Sequence, residues 1–277
     1  MQKVLVFKSE QSASEYLAIT FAAKIAKNNS LNKKTILGFA TGVTPLLMYK
    51  YLIQLNKGTF KSETNFLNNQ SVDLKNPVSW ENVITFNLDE FVGVAKDHRE
   101  LFFNYMQEHL FKDLNLPSGN IHFPDGNAID IKLAAQKYED EITKNGNIEL
   151  QLISLGINGH MAYNEPGTPL DSWTHEAKLT PETRRKLVAQ KKFDSLETTP
   201  TSALTVGVKT ILEKMNEVIM VSFGKSKAEM TRLMIEGPVN SEVTASALQN
   251  HKNCIFVLDK DAASKLNGKN IELIHMD

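Results

Sequence analysis

The sequence has a single cysteine, no long apolar stretch and no excess of charge of either sign. Cys254 has no second cysteine for an intramolecular disulfide, which fits a reducing compartment. Every apolar run is shorter than the roughly 18 residues of a membrane-spanning helix, and residues 1–10 lack the apolar centre of a signal peptide. Lysine and arginine number 31 against 32 acidic residues, so no overall basic field attracts nucleic acid or an anionic membrane. We therefore expect a cytoplasmic protein that binds neither.

Low-complexity tracts, proline-rich spacers and solenoid repeats are also missing from the 277 residues. A chain of this length, with 42% hydrophobic and 23% charged residues, can bury a sizeable core. The even composition predicts one domain over residues 1–277, although the length also permits two.

Short apolar runs alternate with amphipathic stretches along the chain. Ser12 and Glu15 form a capping-box pattern, which predicts that the first helix begins at Ser12. Strands separated by helices imply crossover connections. The pattern therefore predicts an α/β fold, a doubly wound and mostly parallel sheet with helices on both faces, Rossmann-like and three-layered. The predicted strands are 3–7, 35–39, 82–87, 149–155, 217–223 and 254–258.

Polar residues follow four of these predicted strands, at positions 41–44, 89–90, 158–160 and 224–227. In an open parallel sheet, ligands bind outside the carboxyl ends of the strands, where loops lead into helices. We therefore expect all four segments to meet in one crevice.

The first of these segments has the features of a phosphate site, because free backbone amides and a helix dipole beginning at Pro45 can face an anion there. It lacks the spacing of a Walker A or dinucleotide fingerprint, so a plain turn with capping threonines is an equally good interpretation. Lys227 is a candidate for a second phosphate ligand, although lone lysines are more often solvated. The candidate residues of the first segment are Thr41, Gly42, Val43 and Thr44.

Asp89 and Glu90 follow an apolar run and place a carboxylate at the edge of the predicted sheet. A carboxylate held within reach of a C–H group beside a carbonyl can abstract its proton. The alternative interpretation is that Asp89 caps the following segment and Glu90 faces water.

Residues 155–167, LGINGHMAYNEPG, form the most informative stretch of the chain. Its glycines allow close approach to a ligand, and His160 can transfer protons near neutral pH. Glu165 lies close enough in sequence to orient the imidazole, as in many catalytic pairs. The stretch has neither metal-ligand spacing nor a Gly-x-Ser-x-Gly elbow, so neither a metal site nor a serine hydrolase is predicted.

Together these motifs resemble the glucosamine-6-phosphate deaminases, in the wider group that includes the 6-phosphogluconolactonases. The lactonase branch typically has an arginine after the Asp-Glu pair and lacks the Asn-Glu-Pro element. This chain has Phe91 and residues 164–166 instead, which favours a deaminase. The matching segments are 40–45 (ATGVTP), 85–93 (TFNLDEFVG), 158–160 (NGH), 164–167 (NEPG) and 203–207 (ALTVG).

The resemblance implies that glucosamine 6-phosphate and water are converted to fructose 6-phosphate and ammonia, without a cofactor or a metal. It implies that His160, oriented by Asn158 and Glu165, opens the sugar ring, and that Asp89 moves the proton from C2 to C1. The first segment and Lys227 would then hold the phosphate.

Several positions depart from the family pattern. Asn158 stands where many members have aspartate, and Lys191 and Lys192 precede Phe193 where an Arg-Phe-Phe sequence usually binds phosphate. Residues 175–178, HEAK, replace the basic element of allosteric members, so we expect no activation by N-acetylglucosamine 6-phosphate. We expect about 175–193 to form a mobile lid.

The motifs leave two alternatives to a glucosamine-6-phosphate deaminase, and they do not determine the oligomeric state. A galactosamine-6-phosphate deaminase/isomerase, giving tagatose 6-phosphate, shares the Gly-x-Asn-Gly-His sequence and the missing lid arginine. A non-catalytic sugar-phosphate sensor is disfavoured, since such regulators carry a DNA-binding module ahead of this fold and the first strand is predicted near Lys3. The small-molecule partner is thus a sugar phosphate, and a homo-oligomer is possible.

Overall fold

Two β-sheets and eight α-helices organise the part of the chain that the computed structural model describes, residues 1–66, 74, 76–268 and 270–276. The strands are β1 (Gln2–Phe7), β2 (Thr35–Phe39), β3 (Val83–Asn87), β4 (Asp89–Phe91), β5 (Ile121–His122), β6 (Leu150–Ser154), β7 (His175–Lys178), β8 (Ser202–Thr205), β9 (Val218–Ser222), β10 (Cys254–Asp259) and β11 (Ile271–Met276). The helices are α1 (Glu10–Ser30), α2 (Leu46–Lys57), α3 (Phe102–His109), α4 (Ile131–Lys144), α5 (Pro181–Ala189), α6 (Val208–Lys214), α7 (Ala228–Glu236) and α8 (Lys260–Ala263).

The larger sheet has eight strands in the order β11-β1-β10-β9-β6-β2-β3-β5, and all of its pairings are parallel. Crossover helices therefore connect its strands, as the alternation of apolar runs predicts. The predicted doubly wound α/β fold is confirmed, and the six predicted strands lie within one or two residues of the observed ones.

Alternate residues of the strands point to opposite faces of this sheet, and helices cover each face. Leu5 and Phe7 of β1 pack in the cluster that includes Leu17 of α1 and Leu52 of α2. Val4 and Val6 of β1 pack in a second cluster, with side chains of α4, α6 and α7. The two clusters are the two sides of a three-layer core.

A second, antiparallel sheet has three strands in the order β4-β8-β7. Its central strand β8 is completely or almost completely buried. The sequence did not indicate this sheet, because its strands have only three or four residues each. It carries Asp89 at the start of β4, so it positions one of the predicted catalytic residues.

The start of α1 corrects one prediction. Ser9 is the N-cap and Ser12 is the third helical residue, with reciprocal hydrogen bonds between the two. Glu15 is buried and accepts hydrogen bonds from the backbone amides of residues 63 and 64. It therefore holds residues 63 and 64 against α1. They belong to the polar, weakly patterned stretch 59–79, which the sequence predicts to be irregular and of which residues 67–73 and 75 lie outside the described residues.

Cys254 is the first residue of β10, which lies between β1 and β9. Its side chain is buried, and burial raises the pKa of the thiol above its ordinary value. Within the described ranges, the helices are all too short or too polar to cross a membrane.

Candidate active site

The four polar segments follow strands that are direct neighbours, because β9, β6, β2 and β3 lie side by side in that order. The loops after these strands therefore meet at one edge of the sheet, as predicted. A direct contact joins two phosphate-site candidates from different segments: Lys227 Nζ lies 3.4 Å from Thr44 Oγ1.

The segment Thr41–Thr44 leads from β2 into α2, whose N-cap is Pro45. Gly42 has a φ of 143°, a conformation that a side chain would disfavour, and its carbonyl accepts a hydrogen bond of 3.0 Å from Tyr105 Oη. The Thr41 hydroxyl is buried and has no hydrogen-bond partner among the described residues. Val43, by contrast, is 75% exposed. The free amides at the start of α2 make this segment suitable for an anion.

Lys227 stands at the start of α7, in a turn that follows β9. Burial, and next the charge of Lys186, lower the pKa of Lys227, whereas Glu10 and Asp259 act in the opposite direction. Asp259 also holds the turn, since both of its carboxylate oxygens lie 3.0 Å from the Gly224 amide. A partly desolvated ammonium group beside free helix amides favours a bound dianion.

The side chains of His160, Asn158 and Glu165 lie together and are joined by hydrogen bonds, an arrangement called the relay below. Asn158 Oδ1 lies 2.5 Å from His160 Nδ1, and Asn158 Nδ2 donates to Glu165 Oε2 at 2.7 Å. Because the amide oxygen can only accept, Nδ1 carries the proton and Nε2 is left to exchange protons with a ligand. The Glu165 carboxylate also lies 3.5 Å from Nδ1, so a negative charge is close to the ring despite the asparagine at position 158.

Glu165 is the charged end of this relay. Burial acts to raise its pKa, but hydrogen bonds and the charge of His160, with Asn158 and Thr183, lower the pKa of Glu165 to about 2. The carboxylate is therefore ionised at neutral pH and can stabilise a protonated imidazole. Gly156 provides the space for the ring, because a Cβ there would lie 2.4 Å from His160 Nε2.

Asp89 and Glu90 have different environments. Asp89 is 6% exposed, and burial together with the neighbouring Glu90 raises the pKa of Asp89 from 3.8 to about 8. Glu90 is equally buried, and its carboxylate accepts from the backbone amides of Phe91, Phe102 and Phe103 at 2.8 to 2.9 Å. The alternative in which Asp89 is only a cap and Glu90 faces water is therefore wrong for Glu90, which holds the start of α3. Asp89 is the carboxyl group left for chemistry.

Thr205 joins the strand of Asp89 to the relay. It pairs with Asp89 in the antiparallel register of β4 and β8, and its Oγ1 accepts a hydrogen bond of 3.1 Å from the backbone amide of Tyr163. Tyr163 lies between His160 and Glu165 in the chain. Burial, and then the charges of Asp89 and Glu165, raise the pKa of the Tyr163 phenol, so both carboxyl groups lie on its side of the site. Neither Thr205 nor Tyr163 was predicted, although the motif at 203–207 contains the first.

The predicted lid contains β7 and α5. Lys191 accepts a hydrogen bond of 3.0 Å from Arg99 through its carbonyl oxygen, and Lys192 Nζ lies 3.5 Å from Glu100 and 5.6 Å from the centre of the Tyr105 ring. Both lysines line a cavity of about 1190 Å³ beside β4 and β8. Their contact with phosphate stays a prediction, as does the mobility of residues 175–193.

The described residues contain no group of three histidine, cysteine, aspartate or glutamate side chains placed to hold a metal ion. At the carboxyl edge of the parallel sheet, the described part of the chain carries a buried carboxyl group, a hydrogen-bonded histidine and a segment suited to an anion. These features define an α/β enzyme of the acid–base type that acts on a small anionic ligand.

Comparison with known proteins gives the family. The family described as glucosamine-6-phosphate isomerases/6-phosphogluconolactonase matches residues 8–257, so the chain belongs to it. A glucosamine-6-phosphate deaminase of Mycoplasmopsis pulmonis is 42% identical over 272 residues, which cover 98% of each chain. Another, of Clostridium novyi, is 36% identical over 95% of this chain and 100% of that protein.

Solved structures agree with this assignment. A monomeric glucosamine-6-phosphate deaminase has a TM-score of 0.81 and 32% identity, covering 95% of this chain and 99% of the other. A 6-phosphogluconolactonase from Trypanosoma cruzi has a TM-score of 0.70 at 20% identity over 96% and 97% of the two chains, which shows the shared fold alone.

Proposed function

We propose that this protein is a glucosamine-6-phosphate deaminase, which converts glucosamine 6-phosphate and water to fructose 6-phosphate and ammonia. The observation that supports the proposal most directly is the link through Thr205, which pairs with Asp89 across β4 and β8 and accepts a hydrogen bond from the amide of Tyr163, between His160 and Glu165 in the chain. Relatives of that name at 36% and 42% identity over nearly the whole chain support it. As parts of the same proposal, the chain is a single domain with a mobile lid at about 175–193, and it acts in cytoplasmic amino-sugar catabolism.

Ring opening is the first step. The Nε2 atom of His160 accepts the proton of the anomeric hydroxyl and returns it to the ring oxygen, so the C1–O5 bond breaks and an aldehyde forms. Asn158 fixes the proton on Nδ1, and Glu165 stabilises the transient imidazolium.

Isomerisation and deamination follow on the open chain. Asp89 takes the proton from C2 and delivers it to C1, while the aldehyde oxygen gains a proton and the nitrogen loses one, so the amino aldehyde is converted through an enolamine into a ketimine. Water then adds at C2, and the nitrogen leaves as ammonia while the C2 carbonyl forms. The pKa of about 8 makes Asp89 a stronger base than an ordinary carboxylate, and the ammonium group of the substrate favours its ionised form.

Phosphate binding lies away from the reacting carbons. The amides of residues 41–44 and the ammonium group of Lys227 hold the dianion, with Lys191 and Lys192 as further candidates. Binding energy from this end positions C1 and C2 between Asp89 and His160.

The test is ammonia release from two substrates that differ only at C4, glucosamine 6-phosphate and galactosamine 6-phosphate. Faster release from the gluco sugar is expected, and a strong preference for the galacto sugar would establish the alternative deaminase/isomerase instead. Hydrolysis of 6-phosphogluconolactone without ammonia release from either amino sugar would overturn both. The Asp89→Asn variant should bind the sugar phosphate and release no ammonia. N-acetylglucosamine 6-phosphate should not increase the rate.

A further inference from the structure

One side chain of α5 contacts the relay directly. The Thr183 hydroxyl donates to Glu165 Oε1 at 2.9 Å, which is the carboxylate oxygen that Asn158 does not use. Thr180, the N-cap of α5, accepts from the Thr183 amide at 3.2 Å, and its own hydroxyl donates to Thr183 Oγ1 at 3.0 Å. The Thr183 hydrogen is thereby directed at Glu165, so the position of α5 determines whether both carboxylate oxygens are held.

A second side chain of α5 acts electrostatically on the phosphate-site candidate Lys227. Lys186 follows Thr183 by three residues, and side chains with this spacing lie beside each other on a helix. The charge of Lys186 acts on the ammonium group of Lys227, which bonds to Thr44. Two ammonium groups near each other repel, and a bound dianion between them removes that repulsion.

The remaining cations of α5 and its surroundings are placed differently. The Arg184 guanidinium donates to the carbonyl oxygens of Leu196 and, at 3.3 Å, Thr199. Arg185 and Lys186 are both exposed, and Lys186 is the one of the two whose charge lowers the pKa of Lys227. Leu187, four residues after Thr183, is buried in the cluster that contains Phe91, next to Glu90. Helix α5 therefore packs in the cluster that contains Phe91 of β4 and contacts the relay through Thr183, while the charge of Lys186 acts on Lys227.

We propose that α5 couples phosphate binding to the histidine relay, with Lys186 as an additional phosphate ligand and Thr183 as the positioning residue of Glu165. Phosphate bound between Lys186 and Lys227 fixes α5, and the fixed helix holds Thr183 on the carboxylate that orients the relay. Binding of the phosphate group, which lies far from the reacting carbons, thus improves the alignment of His160. This coupling rests on the proposed function for its kinetic test.

The kinetic test is a double-mutant cycle with glucosamine 6-phosphate. Thr183→Val should lower kcat about tenfold, because it removes a hydrogen bond to a charged group, with little change in KM, and Thr183→Ser should keep the wild-type rate. Lys186→Met should raise KM and also lower kcat about tenfold. In the Thr183→Val background, Lys186→Met should change only KM. Equal effects of Lys186→Met on kcat in both backgrounds would refute the coupling.

Arg185→Met is the matched control, because it removes the same charge from the adjacent position of α5. It should leave kcat and KM unchanged. Changes in kcat and KM equal to those of Lys186→Met would mean that any positive charge on α5 attracts the substrate, and they would refute a specific role for Lys186.

A second measurement does not depend on turnover. Inorganic phosphate is added to the full chain while the NMR signals of the His160 ring are followed, with His160→Gln used for assignment. Phosphate should shift these signals in the wild type, whereas in Thr183→Val it should still bind without that shift. An equal shift in both proteins, or none in the wild type, would overturn the coupling. Absence of ammonia release from any amino-sugar phosphate would instead refute the proposed function and leave this result standing.

Discussion

Replacement of Asp89 by asparagine should remove turnover and at the same time stabilise the folded protein at neutral and alkaline pH. Asp89 is buried beside Glu90, and this environment raises its pKa to about 8. Ionisation of this carboxyl group is therefore unfavourable in the folded protein, although catalysis requires it.

The size of the effect follows from the two pKa values. The unfolded chain releases this proton near pH 3.8 and the folded protein near pH 8, so between these values the folded state binds more protons and its stability falls as the pH rises. From pH 3.8 to pH 7 there are about three units, each worth about 1.4 kcal/mol, which gives about 4 kcal/mol. Asparagine has no proton to lose and avoids this destabilisation. The value is an upper limit, because the new amide group needs hydrogen-bond partners in a pocket shaped for a carboxyl group.

Denaturant unfolding at several pH values between 5 and about 9 measures this difference. The stability advantage of Asp89→Asn should grow between pH 5 and about 8 and stay constant above. Asp97→Asn, which changes an exposed carboxyl group in the connection between β4 and α3, should follow the wild type at each pH. A constant difference between Asp89→Asn and the wild type over the whole range would refute a raised pKa at this position.

Three further predictions concern other parts of the site. Glu90→Gln removes a negative charge beside the catalytic carboxyl group, so the acid limb of the kcat/KM profile should move down by about one pH unit. The Tm of this variant should fall, because the new side-chain NH₂ group faces a backbone amide that the carboxylate accepted from. Lys227→Met should raise KM for the phosphorylated sugar at least about tenfold in steady-state assays while leaving the binding of free glucosamine unchanged. Gly156→Ala places a Cβ 2.4 Å from His160 Nε2 and should lower kcat by displacing the ring, whereas Gly119→Ala, which meets open space, should have no effect.

Each of these predictions has a contradicting result. An unchanged pH profile in the Glu90 variant would mean that burial alone raises the pKa of its neighbour. An unchanged KM in the Lys227 variant would place the phosphate elsewhere, and normal turnover of the Gly156 variant would remove the imidazole from ring opening.

The main sheet could be predicted because its information is local. Each buried strand is a short apolar run, and each connection has an amphipathic helix, so the order of elements followed from the sequence. The second sheet could not be predicted in this way. Its strands β4 and β7 read DEF and HEAK, without apolar alternation, and they form only because β8 lies between them. The sequence assigned residues 175–178 to a mobile lid and, because they have no apolar alternation, did not indicate the strand β7 that they form.

The site likewise contains residues that the local sequence identifies and contacts that it does not. His160, Asn158 and Glu165 lie within eight residues, so their relay could be inferred from spacing and resemblance. Contacts between distant segments could not be inferred from the sequence, because nothing in the local sequence links Lys186 to Lys227 or Thr205 to Asp89. The capping role of Glu90 likewise depends on α3, more than ten residues away.

The buried thiol of Cys254 gives this protein a natural reporter of its own opening. A thiol-specific dye can react only after β10 separates from its neighbours, since the sulfur is shielded and its raised pKa keeps it protonated. Labelling rates would thus follow fluctuations at the start of β10 without any engineered probe. With one cysteine in the chain, each modified molecule carries a single label.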